Sequence, residues 1–167
     1  LMELRLQGRR RLSENDACSI RDALQRRLNH EPLQYISGIA YFRFLKLAVG
    51  PGCLVPRPET ELLVEIAMNS LKPGDSVCEL GAGSGAIGLS LASERPDISV
   101  CASELSSEAF KWAERNRKAL NLPNYVLAQG DLFAPFAGQR FNAIVANLPY
   151  IPSVAMSGLP PDVRLLE

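Results

Sequence analysis

Val77-Cys78-Glu79-Leu80-Gly81-Ala82-Gly83-Ser84-Gly85 reads as a strand that runs into a glycine loop and then a helix. Gly81, Gly83 and Gly85 let the backbone turn tightly, and a ligand can approach them with no side chain in the way. Ser84 and Gly85 open the helix, whose first N–H groups suit a carboxylate or a phosphate. Downstream, strand and helix alternate. Strand 76–80 leads through the loop to a helix ending near Glu94. Strand 98–103 ends at Glu104, and Ser106 or Ser107 starts a helix to about Leu120. Strand 125–129 ends at Gly130-Asp131-Leu132-Phe133, and strand 141–146 ends at Asn147. Strands separated by helices imply parallel βαβ units and a sheet covered on both faces. Ligands then bind beyond the carboxyl ends of the strands. Gly81, Glu104, Asp131 and Asn147 all fall at such ends, which makes the four together a candidate site.

The loop carries an ambiguity. Gly83-x-Gly85-x-x-Gly88 matches the dinucleotide fingerprint, with Glu104 at about the right distance. Two features lean elsewhere. Glu79 precedes the first glycine, and a carboxylate there suits a cationic ligand end, such as the amino or sulfonium side of S-adenosylmethionine (SAM), better than a pyrophosphate. The glycines also begin directly after the strand, so Gly83 comes late for a first fingerprint glycine. Glu104 is placed to accept from ribose hydroxyls; the alternative is a surface acid before a helix. Leu132 could pack on an adenine face and Asp131 could accept from its amino group, or both could be ordinary loop residues.

Asn147-Leu148-Pro149-Tyr150 follows the last strand. A simple Asn/Pro turn accounts for it. So does a site for a planar amide. An amide nitrogen is a poor nucleophile, because its lone pair is delocalised into the carbonyl. A site that methylates it must hold the plane and accept from its N–H bonds. The Asn147 side-chain oxygen and the Leu148 carbonyl could be those acceptors, Tyr150 could stack on the plane, and Pro149 would stiffen the loop. Such catalysis is positioning and desolvation of an in-line displacement.

Upstream, Ser13 can cap a helix from Glu14 to about Asn29, with Ala17, Ile20, Leu24 and Leu28 on one face. Pro32 ends it. Residues 33–55 carry aromatic and β-branched residues punctuated by Gly38 and Pro51-Gly52, which suggests two or three short strands in a hairpin. Val55-Pro56-Arg57-Pro58-Glu59-Thr60-Glu61 is stiffened by its prolines and leads to a helix with Leu62, Leu63, Ile66, Ala67 and Leu71 as its apolar stripe.

The whole chain has 167 residues, 47% of them hydrophobic, and zero formal net charge. That charge gives no global reason to expect nucleic acid as a partner. The basic stretch of Arg5, Arg9, Arg10 and Arg11 reads as a solvated terminus or an RNA-contacting arm. No run has the length of a membrane span. Cys18, Cys53, Cys78 and Cys101 show no metal-ligand spacing, and His30 is the one histidine, so no metal site is expected. A reducing, cytoplasmic or organellar setting is expected.

Taken in order, Val55-Pro56-Arg57-Pro58-Glu59-Thr60-Glu61, Glu79-Leu80-Gly81-Ala82-Gly83-Ser84-Gly85 and Asn147-Leu148-Pro149-Tyr150-Ile151-Pro152 resemble the HemK/PrmC family, the protein-glutamine methyltransferases of peptide chain release factors. Leu33-Gln34-Tyr35-Ile36-x-Gly38 looks like that family's link between its helical N-terminal domain and its catalytic domain. The resemblance implies a Rossmann-like α/β methyltransferase sheet over 56–167, a hairpin linker over 33–55 and a helical segment over 1–32. It implies SAM as cofactor, with S-adenosylhomocysteine (SAH) as product, and a release factor as partner through its Gly-Gly-Gln loop. Glu79, Gly81, Ala82, Gly83, Ser84, Gly85, Glu104, Asp131, Leu132 and Asn147 would hold SAM. Asn147, Leu148, Pro149 and Tyr150 would receive the glutamine amide, bordered by Arg57 and Thr60.

Three departures matter. Leu148 stands where the tetrapeptide usually has a proline, and Asn-Leu-Pro-Tyr also occurs in rRNA adenine dimethyltransferases. Leu132 stands where an aromatic residue is often found. The chain ends at Glu167, short of the family's last strands, which points to a C-terminally truncated sheet with an open edge. Open alternatives are an adenine methyltransferase acting on nucleic acid, a ribosomal-protein glutamine methyltransferase, a nicotinamide-dependent oxidoreductase and a catalytically inactive SAM-binding fragment.

Overall fold

The computed structural model describes residues 13–149. Tyr150 and the basic arginines before Ser13 lie outside the described residues, so the roles expected of them have no structural counterpart here.

The first helix, α1, spans Glu14–Leu28. Its start is written in the sequence: Ser13 Oγ accepts the Asp16 N–H at 3.1 Å, and the Asp16 carboxylate accepts the Ser13 N–H. Such a cap contributes about 1 kcal/mol. The expected apolar face is not buried among the described residues. Ile20, Leu24 and Leu28 are 52%, 58% and 65% exposed. A second correction follows. Leu33–Ser37 forms a short helix, α2, where a strand was expected. Pro32 holds the entry at φ −56°, and Gly38 closes the turn in the left-handed region at φ +71°, a helix C-terminus that only glycine adopts without strain. The hairpin comes after it: β1 (Ile39–Phe42) pairs antiparallel with β2 (Leu45–Ala48).

Pro58–Thr60 forms a 3-10 turn that leads into α3 (Glu61–Ser70). Its buried stripe differs from the expected one. Val64 and Ala67 are buried, Leu71 follows, and Leu62 and Ile66 point outward. The remaining elements are β3 (Ser76–Leu80), α4 (Ala86–Glu94), β4 (Ser99–Glu104), α5 (Ser107–Leu120), β5 (Tyr125–Gln129), a 3-10 turn over Ala134–Phe136 and β6 (Ala143–Ala146). Among the described residues the main sheet has four strands, all parallel, in the order β5-β4-β3-β6. The chain therefore builds outward from β3 to β5 and then returns to the other side of β3. That reversal is a topological switch point, and the crevice it opens lies beyond the carboxyl ends of β3 and β6.

The period-2 alternation of the strands divides the sheet into two faces. On one, Val77, Val100, Ala102 and Val145 pack with Val64, Ala67, Ile87, Leu89 and Leu91 of the helices, and with Phe42, Leu45 and Leu47 of the hairpin. On the other, Cys78 and Leu80 pack against Phe136, with Cys101, Ala128 and Phe141 alongside. Cys78, Cys101 and Cys53 serve as apolar packing, and burial pushes the Cys78 thiol up to about 11. Among the described residues no helix is long and apolar enough to cross a membrane.

Candidate functional site at the carboxyl ends of the strands

The glycine loop is held in shape from several sides. Gly81, Gly83 and Gly85 have φ of +72°, +58° and +82°, a region that costs a side-chain-bearing residue strain. The Gly81 and Ala82 N–H groups both donate to Ser103 O at 2.9 Å, which ties the loop to the end of β4. The Gly83 N–H donates to Glu104 Oε2 at 2.8 Å, and the Ser106 N–H donates to Glu104 Oε1 at 2.8 Å. Glu104 thus braces the loop and the start of α5 while keeping accepting capacity on both oxygens. Its own carbonyl accepts from Gly130 at 2.9 Å, drawing in the end of β5. Among the described residues, a Cβ added at Gly83 would meet nothing within 4 Å, so they leave an open face there.

Glu79 lies beneath the loop and not at its mouth. It is 1% exposed and accepts the Gly88 N–H at 3.0 Å through Oε2. Gly85, the residue before α4, has no side chain to cap that helix. Glu79 supplies the missing acceptor from the strand below. Gly88 is glycine for the same reason: a Cβ there would stand 2.3 Å from Glu79 Oε2 and 2.8 Å from the Tyr125 ring. Burial pushes the Glu79 carboxyl up to about 8; the Gly88 N–H opposes the rise, and the Glu104 charge adds to it. Among the described residues, Glu79 Oε1 and the buried Tyr125 hydroxyl have no hydrogen-bond partner, and burial raises the Tyr125 pKa as well.

Across the crevice stand Asn147 and Leu148, carried on the end of β6. Asn147 Nδ2 donates to Thr60 Oγ1 at 3.4 Å. Leu148 leans over the loop, so that a Cβ added at Gly81 would lie 2.8 Å from its Cδ2. Three segments separated in sequence therefore meet at the switch point: the proline-rich approach to α3, the glycine loop and the Asn147 segment. Arg57 and Pro149 are exposed near them in sequence. Asp131 and Leu132 follow β5; Leu132 is 43% exposed and sits at φ +44°, strained for a leucine. Ala82 and Ser84 are buried in the loop.

Sequence reasoning missed Asn116, Ser103 and Tyr125. Asn116 is 3% exposed and donates to Ser84 O at 2.9 Å. Its signal was available: it completes the Ala109, Ala113, Asn116 stripe of α5, where a polar residue stands on an otherwise apolar face.

Residues 58–157 match the model of the methyltransferase small domain, and residues 1–38 match that of the PrmC N-terminal domain. The chain is 37% identical over 160 residues to a release factor glutamine methyltransferase of Thermodesulfovibrio yellowstonii, covering 93% of this chain and 57% of that one. It is 44% identical over 145 residues to the protein of that name from Moorella thermoacetica, covering 85% and 51%. For the Escherichia coli protein of that name the figures are 40% over 145 residues, covering 86% and 52%. The chain thus spans about half the length of the curated relatives it matches. Among solved structures, Trm5b from Pyrococcus abyssi superposes with a TM-score of 0.56 at 21% identity, over 72% of this chain and 34% of that one, a likeness of fold.

Proposed function

The chain belongs to the HemK/PrmC branch of the small-domain methyltransferases, and on that premise we propose that it moves the methyl group of SAM to a glutamine side-chain amide of a peptide chain release factor, in its Gly-Gly-Gln loop. The observation that carries this reading is the meeting of Thr60, the Gly81 loop and Asn147-Leu148 at one switch point.

The cradle fits SAM. No described residue covers the face over Gly83. Glu104 retains lone pairs for ribose hydroxyls, and Asp131 and Leu132 stand at the adjacent strand end. Glu79 acts from below, by holding the first turn of α4 through Gly88. When bound, SAM supplies a methyl group already activated by its sulfonium. The chain's own task is placement. Thr60 accepts from Asn147 Nδ2, and Asn147 Oδ1 would then accept from an incoming amide. That oxygen and the Leu148 carbonyl accept the two N–H bonds of the glutamine and hold its plane. Transfer of that methyl would form the C–N bond as the C–S bond breaks, with the electron pair left on sulfur and the amide proton released to solvent past these acceptors. Orientation of this kind lowers a barrier without a strong acid or base. Residues 1–32, 33–55 and 56–167 would act as helical segment, linker and catalytic domain.

The test is transfer of label from methyl-tritiated SAM to a release factor, beside a release factor whose loop glutamine is replaced by leucine, and beside ribosomal RNA. Label on the first alone supports the reading. Label on RNA favours adenine as the acceptor and removes the proposal, as does binding of SAH without transfer to any of the three.

A further inference from the structure

Asn116 uses its whole amide on two distant parts of the chain. The Ala48 N–H donates to its Oδ1 at 2.7 Å. Its Nδ2 donates to Ala48 O at 2.9 Å and to Ser84 O at 2.9 Å. The orientation is unambiguous, because an N–H can only donate and the two carbonyls can only accept. Ala48 ends β2, opposite Ile39, and Ser84 belongs to the glycine loop. One turn earlier on α5, Trp112 Nε1 donates to Pro51 O at 3.2 Å, and its ring fills the space over Gly50, where a Cβ would come within 2.2 Å. Among the described residues, the exit of the hairpin is therefore gripped by α5 at two points, and of these the Asn116 grip extends to the loop.

We propose that Asn116 is a positioning residue that couples the β1–β2 hairpin to the glycine loop, so that a ligand on the loop and the seating of the hairpin stabilise one another. This rests on the reading of the loop as the SAM cradle. Its buried position leaves no water to replace lost bonds, so opening at Ala48 breaks two hydrogen bonds at once and strands Asn116 Oδ1 and one Nδ2–H. Coupling is reciprocal: whatever fixes the loop tightens the Asn116 contact at Ala48, and whatever seats Ala48 raises affinity at the loop. The hairpin also joins α1 and α2 to the sheet, so a protein docked on that end would be felt at the cradle.

Hydrogen exchange of the full chain with and without SAH tests this. In the wild-type chain, SAH is expected to slow exchange at the Ala48 N–H by about tenfold more than at the neighbouring Val49 N–H. Val49 bonds to Gly38 O and reports the hairpin without Asn116. Asn116→Asp keeps the volume and the acceptor for Ala48, but turns a carboxylate oxygen on two carbonyls. SAH affinity is expected to fall about tenfold in it, and the difference between Ala48 and Val49 to vanish. Equal slowing at both amides in the wild-type chain, with SAH bound, overturns the coupling; this arm needs no variant to fold. Failure of the wild-type chain to bind SAH overturns the cradle reading and the coupling with it.

Discussion

Glu79 is comfortable in its place only while it keeps its proton. Below about pH 4.5, folded and unfolded chains both hold that proton; between there and about 8 the folded chain alone does. The folded state binds more protons in that window, so stability falls as pH rises through it and levels off above. The melting temperature is expected to decline between pH 5 and pH 8, and Glu79→Gln, neutral throughout, to flatten the decline. Parallel profiles for the two proteins would remove Glu79 as the source. For Asn147→Ala, methyl transfer is expected to drop at least about a hundredfold, with the melting temperature little changed because, among the described residues, the Asn147 side chain makes a single 3.4 Å bond, to Thr60. Thr60→Val, which removes that acceptor, should lower kcat while leaving the KM for SAM unchanged. Steady-state kinetics decide both. An acid at the end of β3 was legible in the sequence. That it faces under the loop was not, because strand alternation assigns a face only once the neighbouring helices are known.

At the scale of elements, polar chemistry near the backbone was easier to read than apolar stripes. Ser13 and Ser106 cap α1 and α5 as their sequence suggests. The stripe of α3 was misplaced because Leu62 and Ile66 share helical spacing with Leu63 and Ala67, and only packing against α4 and β6 chooses between adjacent faces. Leu33–Ser37 carries strand-like residues but follows Pro32 and ends at Gly38, and those helix boundaries outweigh strand propensity. The packing of α4 on β3 yields a direct expectation. Gly88→Ala puts a methyl against Glu79 and Tyr125 and should cost about 1–3 kcal/mol, read from urea denaturation. A neutral substitution would mean that α4 stands farther from β3 than described.

For the whole molecule, a parallel α/β sheet was readable from the alternation of strands and glycine- or acid-marked strand ends. The strand order β5-β4-β3-β6 was not, because nothing local in the 141–146 run says that it returns beside β3. That return makes the candidate site: it sets Asn147 against Thr60 and Leu148 over Gly81. A crystal structure of the chain with SAH and a Gly-Gly-Gln peptide tests this account most directly. SAH is expected along the glycine loop with its ribose at Glu104, and the glutamine amide within hydrogen-bonding distance of Asn147 Oδ1 and the Leu148 carbonyl. SAH bound elsewhere, or a glutamine held away from Asn147, would contradict it.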